Sequence, residues 1–126
     1  MINALIFFVG ITTGSFGGIL MKMGADRIGS FQINGVSEAF NYILKVLTNP
    51  FSFSGLVLYF LAGLIWSYLL LKLDISFVQP ILALTYVATP ILAILFLHEK
   101  VEAMRWLGIA VIIVGVIIVA RTTNAT

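Results

Sequence analysis

An all-α membrane protein is what this sequence predicts, with four transmembrane helices and a short interfacial amphipathic helix between the first and second spans. Three observations carry the expectation. First, 61% of the 126 residues are hydrophobic and only 10% are charged, against about 25% charged in soluble domains. Second, the seven basic and five acidic residues leave four charge-free windows, at 1–21, 46–71, 75–98 and 106–120. About 20 residues rising about 1.5 Å each cross a hydrocarbon core of about 30 Å, so each window reads as a span. Third, residues 36–47 repeat apolar side chains at helical spacing but are too short and polar to cross.

Taken in order, the first span is expected over about residues 2–23. It lacks a positive n-region and an A-x-A site, so it reads as a retained helix rather than a cleaved signal. The loop "GADRIGSFQING" follows, with Gly24, Gly29 and Gly35 marking turns. In the surface helix, Val36, Ala39, Phe40, Ile43, Leu44 and Leu47 take one side, and Ser37, Glu38, Asn41 and Lys45 the other. "TNP" at 48–50 breaks it, and the second span is expected over 51–71. Asp74 and Ser76 offer N-caps for a third span over 76–97, which makes a tight hairpin with the second. "HEKVEAMR" is a polar turn into a fourth span over 103–120, extended by Met104 and the stem of Arg105 beside Trp106. The tail "RTTNAT" is expected to fray. No internal repeat is evident, so residues 1–126 form a single integral membrane domain.

Charge placement bears on orientation and on partners. Lys22, Arg27, Lys45, Lys100 and Arg105 flank one membrane face, whereas Lys72 and Arg121 flank the other. The positive-inside rule then puts both termini outside. A net charge of +2 scattered in this way implies no nucleic-acid partner. With no cysteine and one histidine, His98, no thiol chemistry or multi-histidine metal site is expected. No nucleophile and base stand together, so neither a cofactor nor an enzymatic reaction is expected.

Polar residues inside spans are the candidates for function. On the first span Gly10, Gly14, Gly17 and Gly18 cluster on one side, while Thr12, Ser15 and Lys22 take another. The glycines permit close helix packing and the hydroxyls can bond their own i−4 carbonyls. Alternatively, Thr12, Ser15 and Lys22 line a groove in which the lysine attracts a phosphate and Gly14 makes room. On the third span Gln79, Tyr86 and Pro90 share a face. An amide is costly in lipid, and Pro90 leaves the Tyr86 carbonyl without a helical donor, which favours a kink or hinge. These features suit a substrate groove, or simple helix packing. Gly108 and Gly115, one heptad apart on the fourth span, form a contact seam for another span or a second subunit. Tyr59, Trp66 and Tyr68 read as packing or interface anchors.

The stretch "LDISFVQPILALTYVATPILAILFLHEKVEAMRWLGIAVIIVGVIIVART", with "GGILMKMGADRIG" before it, resembles EamA-like and small-multidrug-resistance-like members of the drug/metabolite transporter superfamily. It is similar above all to four-span subunits that translocate polyprenyl-phosphate-linked sugars such as aminoarabinose on undecaprenyl phosphate. The drug exporters carry a glutamate that falls at Gly14 here, and aromatics that fall at Gln79 and Leu82. The surface helix and Pro90 depart from the family's pattern. The resemblance implies a multi-pass protein of the inner (plasma) membrane, acting as a transporter or flippase subunit for an amphiphilic or lipid-linked substrate. It also implies a homodimer, or a heterodimer with a paralogue, formed on the Gly108/Gly115 seam. An exporter of cations or metabolites, and a non-transporting scaffold or accessory subunit of a glycosyltransferase, are the alternative readings.

Overall fold

The computed structural model describes residues 2–29 and 32–122 and is helical throughout its ordered elements. The helices are α1 (Ile2–Ile28), α2 (Val36–Thr48), α3 (Pro50–Leu70), α4 (Ile75–Leu82), α5 (Thr85–Leu97) and α6 (Ala103–Ala120). Among the described residues, four stretches are long and apolar enough to span a membrane: α1, α3, α4 with α5 taken together, and α6. The tail expected to fray lies, at 123–126, outside the described residues.

α1 runs five residues beyond the expected end at 23. Asp26 and Arg27 therefore lie on the helix rather than in a loop, one turn beyond Lys22. An ion pair between Lys22 and Asp26, 3.2 Å apart and one turn removed, supports the extra turn. Gly24 is no turn residue either; it is helical and pressed against Ser52. The chain leaves the helix at Gly29, whose φ of +78° is a left-handed conformation that glycine adopts without penalty. Gly35 then forms the N-cap of α2, and the Glu38 carboxylate accepts the N–H of Asn34, one residue before that cap.

α2 buries none of its residues, and its Val36, Phe40, Ile43 and Leu47 are exposed along one side. A single residue, Asn49, separates it from α3. The Asn49 side-chain oxygen accepts the N–H groups of Phe51 and Ser52, and Pro50 occupies the first helical position. Asp74 stands at the N-cap of α4, as expected, but its side chain makes no capping bond there; the N–H groups of Phe77 and Val78 donate to its backbone carbonyl.

The largest helix contact is antiparallel, between α1 and α3. Gly10 lies against Trp66, Gly14 against Ala62, Gly17 against Gly55 and Gly24 against Ser52. A Cβ on Gly55 would stand 2.8 Å from the Gly17 carbonyl oxygen, so the two backbones touch. Lipid is as apolar as leucine, and such van der Waals closeness is what holds helices together in a bilayer. A packed cluster of Phe7, Ile11, Leu69, Val78, Ile81 and Val116 joins α1, α3, α4 and α6 toward the Lys72 and Arg121 face. Phe16 and Phe96 meet edge-on at 5.7 Å where α1 crosses α5.

The third span is not one helix bent at Pro90. It is interrupted at Ala83–Leu84, where i→i+3 bonds (Ala83 N–H to Pro80, Leu84 N–H to Ile81, Tyr86 N–H to Ala83) replace the α-helical ladder. Pro80 and Pro90 flank the interruption and lie inside α4 and α5. Each lacks an N–H, which removes a donor from Ser76 and from Tyr86 respectively and weakens the turns at 76–80 and 86–90, on either side of the interruption.

Candidate functional site

Beside the interruption, within the membrane-spanning region, lies a pocket whose lining mixes polar and apolar side chains. It has a volume of about 360 Å³ and is lined by Tyr59, Gln79, Leu82, Ala83, Thr85 and Tyr86. α3 contributes Tyr59 from mid-span, α4 brings Gln79, and α5 brings Thr85 and Tyr86 immediately after the interruption. A Cβ on Gly18 of α1 would stand 3.1 Å from the Tyr59 hydroxyl oxygen, so that glycine makes the space the phenol occupies.

The chemistry of this pocket is neutral hydrogen bonding. Gln79 brings an amide with two donors and one acceptor, and three hydroxyls from Tyr59, Thr85 and Tyr86 add donors and acceptors. Pro90 also leaves the Tyr86 carbonyl without its i+4 helical donor. None of the lining residues is charged. Gln79 and Tyr86 are exposed in the single chain, Tyr86 by 67%, so the pocket opens sideways out of the helix bundle. A polar group left without a partner in an apolar medium costs about 2–7 kcal/mol, which makes such an opening suited to a polar ligand or a polar neighbouring surface.

The other sequence candidates are distributed elsewhere. Thr12 and Ser15 line a separate recess of about 190 Å³ with Phe16, Ala88, Ile91 and Leu92. There the Thr12 hydroxyl donates to the Phe8 carbonyl at 2.8 Å, as an i−4 bond. Ser15 is fully buried and its hydroxyl has no hydrogen-bond partner among the described residues. Gly14 faces Ala62 in the α1–α3 seam. Lys22 is about half exposed and paired with Asp26, outside the Gln79–Tyr86 pocket. Gly108 and Gly115 have open space where a Cβ would project. The structure thus brings Gln79 and Tyr86 together and adds Tyr59, Thr85 and Gly18, which the sequence reading did not place in a site. The signal for Tyr59 was its position: a phenol at the centre of a span, rather than at its end, requires a polar neighbour.

Residues 1–121 match the EamA-like transporter family. The chain belongs to that family. Among curated proteins it is similar to probable 4-amino-4-deoxy-L-arabinose-phosphoundecaprenol flippase subunits ArnE. The one from Pseudomonas savastanoi pv. phaseolicola is 29% identical over 91 residues, covering 72% of this chain and 80% of that protein. The one from Aeromonas salmonicida is 33% identical over 72 residues, covering 57% of this chain and 63% of that protein. The one from Aeromonas hydrophila is 38% identical over 55 residues, covering 44% of this chain and 48% of that protein. No solved structure matches. Family and spans together make this EamA-like chain a multi-pass inner-membrane protein of the transporter and flippase kind.

Proposed function

We propose that this EamA-like protein is a flippase subunit that carries an amphiphilic, polyprenyl-phosphate-linked sugar. The observation that carries the reading is the uncharged, hydroxyl- and amide-lined pocket opening sideways from the interrupted third span. Sugar hydroxyls and amines bond well to Gln79, Tyr86, Tyr59 and Thr85, while the apolar tail stays in the bilayer beside the opening. A fixed carboxylate, which would favour a bare cation and repel a phosphate, is missing from this lining. The names of the ArnE relatives support the same substrate class.

Lys22 supplies a point charge for the phosphate at the membrane face, in exchange for its exposed pairing with Asp26. Thr12, Ser15 and Gly14 keep the middle of α1 small beside α5 and α3. The interruption at Ala83–Leu84 together with Pro90 acts as the hinge about which the third span bends as the head group passes. A second copy or a paralogue covers the open Gly108/Gly115 seam of α6. No covalent step is required.

Reconstitution tests the reading. In proteoliposomes carrying a fluorescent undecaprenyl-phosphate sugar, Gln79→Leu and Tyr86→Phe are expected to lower the flipping rate at least tenfold with assembly intact. Unchanged rates in both variants, or drug-driven proton flux with no response to the lipid-linked sugar, would reject it.

A further inference from the structure

Where α1, α2 and α3 meet, a cavity of about 380 Å³ is lined by Arg27, Ile28, Lys45, Thr48, Asn49 and Pro50. Two cations reach it from different helices, Arg27 from the end of α1 and Lys45 from the last turn of α2. Each also offsets the negative end of its own helix. That role explains either cation singly, but not their convergence on one space with no acidic residue in its lining.

The Arg27 guanidinium lies over the Phe51 ring, 4.4 Å from its centre. Stacking of this kind fixes a guanidinium in place and leaves N–H donors for an anion. The neighbouring carboxylate, Asp26, is paired with Lys22, and Arg27 forms no ion pair with any described residue. The α3 N-terminus is not what offers binding, because Asn49 already accepts the Phe51 and Ser52 N–H groups.

Depth identifies the ligand. Arg27 stands at the end of one span and Pro50 at the start of the next. α2, at 13 residues, is too short to cross, and its exposed Val36, Phe40, Ile43 and Leu47 suit a helix lying in the interface. A cationic cavity at that level meets lipid phosphates. We propose that the Arg27–Lys45 cavity binds the phosphate of an anionic lipid headgroup. This goes beyond the sugar-carrying reading and stands without it, since it concerns a different cavity and needs no transport.

Native mass spectrometry of the purified full chain, titrated with dioleoylphosphatidylglycerol or dioleoylphosphatidylcholine, tests it. Arg27→Gln and Lys45→Gln are each expected to weaken phosphatidylglycerol binding about fivefold, and both together about 25-fold, at about one surface cation's contribution apiece. Arg27→Lys and Lys45→Arg retain the charge and are expected to bind more tightly than the glutamine variants, which keeps the test open if the double variant fails to fold. Equal binding of the two lipids, or unchanged phosphatidylglycerol binding in both glutamine variants, would overturn the proposal. So would displacement of the lipid by an equal concentration of inorganic phosphate, which would mark a free-anion site. Failure here leaves sugar flipping at Gln79 untouched, and the flipping assay likewise leaves this site untouched.

Discussion

Two helices of this protein carry glycines seven residues apart, and the structure treats them in opposite ways. Gly10, Gly17 and Gly24 of α1 press on α3, against Trp66, Gly55 and Ser52. Gly108 and Gly115 of α6 face open space. Equal spacing therefore encodes a flat helix face and says nothing of what covers it. Inside a bilayer, apolar side chains gain little by leaving lipid, so a small-residue face stabilises only when another backbone lies within touching distance. In α1 that backbone belongs to the same chain. For α6 the reading under test is that it belongs to another.

The largest effect is expected from filling the closed seam. Gly55→Leu forces a side chain into the space between the Gly17 carbonyl and the Met21 N–H, both within 3 Å of the new Cβ. Backbone atoms cannot swing aside, so the cost should reach or exceed the usual overpacking range of about 1–3 kcal/mol. SDS-induced unfolding in mixed micelles, followed by the fluorescence of Trp66 and Trp106, would read it. Gly115→Leu in the same assay at high dilution should change stability by less than about 0.5 kcal/mol, because no atom of the described residues lies within 4 Å of a Cβ placed there.

The open seam should respond only in association. If a second subunit covers α6, Gly108→Leu with Gly115→Leu raises the dissociation constant about tenfold, or about 1.4 kcal/mol. Single-molecule photobleaching of labelled subunits in liposomes measures it. An unchanged dimer fraction would return α6 to lipid, and no dimer in the unsubstituted protein would do the same.

A smaller effect, of opposite sign, is expected at Ser15. Its buried hydroxyl has no partner among the described residues, unlike that of Thr12, which bonds the Phe8 carbonyl. Ser15→Ala removes an unsatisfied polar group without leaving a large void and should stabilise the fold by about 1 kcal/mol. A loss of stability of that size would mean that Ser15 finds a partner or a water in the folded protein.

These contrasts also mark how far the sequence is legible. The four spans and α2 could be read because charge is excluded from hydrocarbon and amphipathic spacing survives in sequence. The end of α1 could not: Lys22, Asp26 and Arg27 signalled the limit of the lipid, and the helix continues past that limit. Nothing in "AL" at 83–84 marks an interruption; the residues that weaken the helical ladder, Pro80 and Pro90, lie several residues away on either side. Gln79 and Tyr86 stood out as polar groups in an apolar span. Tyr59 carried a mark of its own as a phenol at mid-span, but its meeting with Gln79 and Tyr86 is tertiary, and Gly18 reaches the site only through the α1–α3 contact.

The smallest structural effect belongs to the residue of greatest interest on α1. Lys22 and Asp26 pair at 3.2 Å on a surface where both side chains are more than half exposed. An i, i+4 pair so placed contributes about 0.3–0.5 kcal/mol, so Lys22→Gln should leave the unfolding midpoint nearly unchanged. That near-silence makes it a clean probe. If the lysine only props the last turns of α1, Asp26→Asn does the same damage as Lys22→Gln and flipping of a phosphate-bearing lipid proceeds in both. If the lysine holds the phosphate, the two substitutions part company: Lys22→Gln slows flipping severalfold, whereas Asp26→Asn frees the ammonium and leaves the rate equal or higher. Equal rates in both variants would remove Lys22 from the transport path and leave the head group to Gln79, Tyr86 and their neighbours alone.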